Sequence, residues 1–126
     1  MPEPDHRTIL IIDDDEVILQ SISRQLKNEN LRLVFEQDPA FALERLKTER
    51  YDLVLCDIKM KPINGLDVLR SITDLQPELP VIILSAFVDD QIVDAAYGLG
   101  CRQFLFKPIR KQVLVTSVRR ALAETA

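Results

Sequence analysis

The sequence predicts a doubly wound α/β domain with five parallel strands and five helices. Three observations carry this reading. Short apolar runs alternate five times with segments of helical periodicity. The runs are continuously apolar rather than alternating, as strands covered by helices on both faces require. A strand of ~5 residues, a helix of ~11 and two loops of ~4 make a unit of ~24 residues. Five such units nearly fill the 126 residues, which leaves one domain over residues 1–126. Right-handed crossovers between parallel strands then place helices on both faces.

The first strand is residues 8–12, which run into Asp13, Asp14 and Asp15. A helix follows at 16–27, with Ile18, Ile22 and Leu26 on one face and Leu19 placed outward. Residues 31–35 form the second strand, and 39–47 the second helix, with Phe41, Leu43 and Leu46 as its apolar positions. The third strand, 52–56, runs into Asp57. Asn64 is suited to cap a helix over 64–75 that turns Leu66, Leu69 and Ile72 inward. Pro77 and Pro80 bracket the approach to the fourth strand, 81–84, which runs into Ser85. The fourth helix, 89–99, carries Tyr97 outward and ends at Gly98 and Gly100. The fifth strand, 102–106, runs into Lys107. The last helix, 109–123, turns Leu114, Val118, Ala121 and Leu122 inward and leaves Val113 and Val115 outside.

Composition narrows the function classes. The chain is 47% hydrophobic and 29% charged, with a net charge of −4. Such a balance opposes broad phosphate-backbone binding, so no nucleic-acid partner is expected. No apolar stretch approaches the ~20 residues of a membrane span. The opening residues lack the apolar core of a secretory signal, and a cytoplasmic location is expected. Cys56 and Cys101 read as buried core residues, with no paired spacing for a metal or a disulfide. His6 stands alone in a polar segment and receives no role.

The chemistry lies at the strand ends. If the runs are parallel strands, Asp13–Asp14, Asp57, Ser85 and Lys107 share the edge at which open α/β sheets bind ligands. Each residue alone has an ordinary reading: an acidic helix start, a loop serine, a helix approach. Their coincidence at four ends favours a shared site. Carboxylates crowded there repel one another, and a divalent cation removes that cost. Mg²⁺ takes oxygen ligands and keeps several waters, so two carboxylates and a carbonyl suffice. Lys107 adds a second positive charge. Metal and lysine together suit phosphoryl transfer, which needs mainly positioning and charge neutralisation.

These residues resemble a known family. Ile12-Asp13-Asp14, the segment Asp57-Ile58-Lys59-Met60 with Gly65, the pair Ser85-Ala86 and Lys107-Pro108 look like the receiver domain of two-component response regulators. The resemblance spans essentially the whole chain. It implies a flavodoxin-like sheet of strand order 2-1-3-4-5. It implies that Asp57 is the phosphoacceptor, and that Mg²⁺ is held by Asp13, Asp14, Asp57 and the backbone carbonyl of Lys59. Ser85 and Lys107 would bind the phosphoryl group, and Ser85 and Phe104 would act as the switch. The Lys107-Pro108 bond would be cis. The implied donor is a sensor histidine kinase or a histidine phosphotransfer protein. Phosphorylation would change the surface of the fourth helix, fifth strand and fifth helix, through which a homodimer could form. Such a domain is no conventional enzyme, since it catalyses only its own Mg²⁺-dependent phosphorylation and dephosphorylation.

The sequence departs from the family pattern at Lys61, where proline is usual, and Pro62 follows one place later. Lys59 and Phe87 fill the two variable positions that, in the family it resembles, influence phosphoryl lifetime, and bulky Phe87 is expected to hinder attacking water. Two other functions remain open. Residues 13–17 also fit the Asp-x-Asp-x-Thr/Val motif of haloacid-dehalogenase-type phosphatases, which would make Asp13 the nucleophile. A receiver-like module that binds partners without being phosphorylated is the other. A flavodoxin-like cofactor binder fits poorly, because the first loop is acidic where a phosphate-cradling loop would be rich in glycine or hydroxyls.

Overall fold

A computed structural model describes residues 7–86 and 89–124. Phe87 and His6 lie outside these residues. Five strands, β1 (Arg7–Ile12), β2 (Leu31–Glu36), β3 (Leu53–Asp57), β4 (Val81–Ser85) and β5 (Gln103–Phe106), pair in parallel in the order β2-β1-β3-β4-β5. This is the order that the resemblance implies. The helices are α1 (Glu16–Leu26), α2 (Pro39–Thr48), α3 (Gly65–Leu75), α4 (Asp90–Gly98) and α5 (Lys111–Glu124).

Successive side chains of the strands go to opposite faces. Leu10, Ile12, Val54, Cys56, Val81 and Ile83 pack on the side that includes Ala42 of α2, Val68 of α3 and Ala96 of α4. Ile9, Ile11, Leu53, Leu55, Ile82 and Leu84 pack on the side of α1 and α5. Both faces are therefore dry, which is why the runs read as unbroken hydrophobic sequence. At ~25 cal/mol per Å² this burial is the main favourable contribution to folding.

Each strand differs from the sequence reading by one residue at one end, and β3 at both. β3 and β4 extend to include Asp57 and Ser85, and β1 starts at Arg7. α5 starts at Lys111 rather than 109, after the cis Lys107-Pro108 bond. Lys61-Pro62 is also cis. The inner face of α1 is corrected: Leu19 is buried with Ile22 and Leu26, and Ile18 flanks them half-buried. At about 100° per residue, Leu19, Ile22 and Leu26 fall within a sector of roughly 60°, with Ile18 outside it. On α3, Val68 joins Leu69 and Ile72 in the core, and Leu66 is only half-buried. Phe41 is 52% exposed, with the Arg45 guanidinium 5.6 Å from its ring centre.

α3 begins with a capping box. The Asn64 side chain accepts from Asp67 N at 2.9 Å, and Asp67 accepts from Asn64 N at 3.4 Å. Asn64→Ala is expected to cost about 1 kcal/mol. The measurement is thermal melting, and an unchanged midpoint would show that the cap contributes nothing. Gly100, at φ 103°, supplies the left-handed residue just beyond α4.

Candidate functional site

Register brings the acids together. Ile12 of β1 pairs with Cys56 of β3, so Asp13 and Asp57 follow at adjacent positions on one edge. Asp13 is 0% exposed. Its Oδ1 accepts from Asp15 N at 2.9 Å and its Oδ2 from Lys107 Nζ at 2.8 Å. Lys107 also donates to Asp57 Oδ1 at 3.1 Å. Asp14, the next residue, is exposed at the start of the turn into α1. One ligand oxygen from each of Asp13, Asp14 and Asp57 can be chosen so that all lie within 4.8 Å of one another.

Ser85 closes the other side. It ends β4, is almost fully buried, and its carbonyl accepts from Lys107 N at 2.8 Å. With Asp57, Lys59, Ala86 and Lys107 it lines a cleft of about 200 Å³. Asp13 is not among the residues lining this cleft. The acids are thus divided: Asp13 sits below with both oxygens engaged, and Asp57 faces the cleft.

The electrostatics follow from this packing. Burial raises the Asp57 carboxyl above the usual range, and the Asp13 charge adds to the rise. The charge and hydrogen bond of Lys107 offset part of it. Burial alone would lower Lys107, but the hydrogen bond and charge of Asp13 and then Asp57 carry its pKa upward. The Cys56 thiol, buried beside these acids, is pushed far up and stays protonated. Three carboxylates against one ammonium leave an excess of oxygen donors and negative charge. That donor set suits a hard divalent cation.

Phe104 is buried, and its ring centre lies 5.2 Å from that of Phe106. Its backbone N donates to the Tyr97 hydroxyl at 3.2 Å, which ties β5 to α4. Tyr97 and Val113 are exposed, as the sequence predicts; Val115 is half-buried and Leu19 is buried. Phe106 is exposed as well, and sequence reading missed it: an aromatic two places from Phe104 signals a shared strand face, but it lies where β5 runs past its cover. The Tyr97 bond had no local signal. Among the described residues, no helix is long and apolar enough to cross a membrane.

Comparison with known proteins agrees with this fold. A family model described as the response regulator receiver domain matches residues 9–119. The transcriptional regulatory protein GlrR of Escherichia coli is 33% identical over 118 residues, covering 94% of this chain and 27% of that protein. The chain therefore spans about a quarter of the length of this curated relative. The signal receiver domain of an HD domain-containing protein from Pseudomonas fluorescens superposes with a TM-score of 0.92 at 28% identity, covering 99% of this chain and 93% of that one. The BeF3-activated DrrB receiver domain superposes with a TM-score of 0.86 at 26% identity, covering 94% and 98%.

Proposed function

We propose, from the premise that the chain belongs to the family of response regulator receiver domains of two-component systems, that it accepts a phosphoryl group on Asp57. The observation that carries this reading is the division of the acids. Asp57 lines the cleft with Ser85 and Lys107, whereas Asp13 is fully buried. An attacking oxygen must reach phosphorus, and of the two candidate nucleophiles, Asp13 and Asp57, it is Asp57 that lines the cleft. The phosphatase alternative, with Asp13 as nucleophile, lacks that access and is not favoured by the family match.

Asp13, Asp14 and Asp57 would hold Mg²⁺, with the backbone carbonyl of Lys59 completing the protein ligands. Bound there, the ion would neutralise charge on the phosphoryl oxygens. Lys107 supplies fixed positive charge beside Asp57, and Asp13 orients that ammonium from below. Once phosphorylated, Asp57 carries about −2 charge and three acceptor oxygens. Ser85 and Lys107 are the donors that would close on them. Inward movement of Ser85 would draw the end of β4 with it and make room for Phe104. Because Phe104 is bonded to Tyr97, α4 would move with β5. A few kcal/mol of differential interaction suffices for such a shift, and charge-assisted hydrogen bonds supply energy of that order.

The donor partner in this reading is a sensor histidine kinase or a histidine phosphotransfer protein. The exposed Tyr97, Phe106 and Val113 on α4, β5 and α5 form the surface that would change, and a homodimer through it is the second partner. The test is intact mass after incubation with acetyl phosphate, with and without Mg²⁺. A Mg²⁺-dependent gain of one phosphoryl group, lost in Asp57→Asn, is expected. A gain that survives Asp57→Asn but disappears in Asp13→Asn would overturn the assignment.

A further inference from the structure

Beside the phosphoacceptor cleft lies a second, larger hollow of about 470 Å³. The turn after β1, the loop after β3, the start of α3 and α4 border it. Ile58, Met60, Leu66 and Ile92 supply hydrocarbon walls; the exposed Lys59 and Lys61 supply two positive charges, and Asp14 at the rim toward the acids supplies one negative charge. Ile58 and Met60 are buried, and Leu66 and Ile92 are half-buried, so the interior is fixed by the core and the outer wall remains open to a ligand. Lys59 lines both this hollow and the cleft at Asp57. The two spaces therefore share a wall.

Their linings divide the work. The cleft of about 200 Å³ at Asp57, Ser85 and Lys107 is the polar one and takes the phosphoryl end. About 470 Å³ lies in the range of small-molecule pockets. We propose that the larger hollow seats the apolar organic part of a small anionic phosphoryl donor, an acyl phosphate with an aryl or branched alkyl tail, whose phosphoryl group lies against Asp57. This rests on Asp57 being the phosphoacceptor. The lysines suit such a donor, because it carries its negative charge at the end next to Lys59, while the chain as a whole is at −4. In the transfer, a carboxylate oxygen of Asp57 forms a bond to phosphorus. The bond from phosphorus to the acyl oxygen breaks, and its electron pair leaves on the free carboxylate. No proton is needed.

The test compares benzoyl phosphate with acetyl phosphate by intact mass, with Mg²⁺, on wild type, Leu66→Gln, Ile92→Gln and Asp57→Asn. Each hollow variant is expected to slow uptake from benzoyl phosphate about fivefold or more, the size of losing one good apolar contact. Acetyl phosphate uptake should stay within about twofold, which also reports that the variants fold. A direct reading comes from methyl-labelled methionine, because the chain holds only Met1 and Met60. Phenylphosphonate, which carries the anion and the ring but cannot transfer, should move the Met60 methyl signal where methylphosphonate does not. An unchanged donor ratio in both variants, with normal acetyl phosphate uptake, overturns the tail pocket alone. So does a Met60 signal that ignores the ring. Variants that slow transfer only from a phosphohistidine protein overturn it in favour of a protein contact. Uptake from neither donor, or uptake that persists in Asp57→Asn, overturns the phosphoacceptor reading and the pocket with it.

Discussion

Gly65→Ala is expected to destabilise the domain by about 3 kcal/mol, at the upper end of overpacking costs. A Cβ at Gly65 would lie 2.1 Å from the carbonyl oxygen of Asp57 and 2.8 Å from the Cα of Ile58. Both are backbone atoms, so no side chain can swing away. Gly65 N also donates to Ile58 O at 2.7 Å, which presses the first turn of α3 onto the end of β3. The added methyl must lift α3 from the strand that carries Asp57. For a domain of this length the melting midpoint should fall by roughly 10 °C. Phosphoryl uptake should fall as well, because a displacement of ~1 Å at a reacting group can cost about 10²-fold. Calorimetry and uptake are to be measured on the same preparation. A variant that melts within about 2 °C of wild type would show that α3 can retreat at little cost.

Asp57→Asn is expected to do the reverse to stability in the absence of metal. Burial first, and the Asp13 charge second, raise the Asp57 carboxyl. A raised acid favours folding below its unfolded pKa, and that contribution is lost as pH rises through its folded value. At neutral pH the ionised group is therefore held at a cost. Asparagine removes the charge and leaves Lys107 its bond to Asp13. The metal-free variant should melt roughly 3–6 °C above wild type at pH 7, the equivalent of about 1 kcal/mol. The difference should shrink as the pH is lowered through the carboxylate range. Mg²⁺ should then raise the wild-type midpoint more than that of the variant, since only binding to the folded state stabilises. A variant that melts below metal-free wild type would mean that the bond from Lys107 to Asp57 outweighs the repulsion.

Much of this arrangement was legible because the strands announce themselves twice. Ile9 to Ile12, Leu53 to Cys56 and Val81 to Leu84 are too uniformly apolar for half-exposed strands, and each stops at a polar residue. Once the strands are parallel, Asp13, Asp57, Ser85 and Lys107 must share an edge. What the residues could not reveal was rank among the acids. The pairing of Ile12 with Cys56 sets Asp13 and Asp57 side by side, and only the packing of the assembled sheet buries Asp13 and leaves Asp57 on the cleft. The face of α1 was misjudged because Ile18 and Leu19 are both apolar, and the choice between them turns on how the helix rolls on β1. Phe41 was equally ambiguous: small Ala42, beside it, occupies the core and turns the larger ring outward. The hollow beside Met60 is made by four segments meeting and leaves no local trace.

The bonds of Lys107 have a consequence during synthesis. It reaches Asp13 across 94 positions of the chain and Asp57 across 50. Both acids leave the ribosome well before the lysine that holds them. A nascent chain halted ahead of β5 thus displays two carboxylates with no ammonium between them and no floor for an incoming phosphate. On the proposed reading, the phosphoryl site is complete only once the chain has passed β5 and Lys107 can reach both acids.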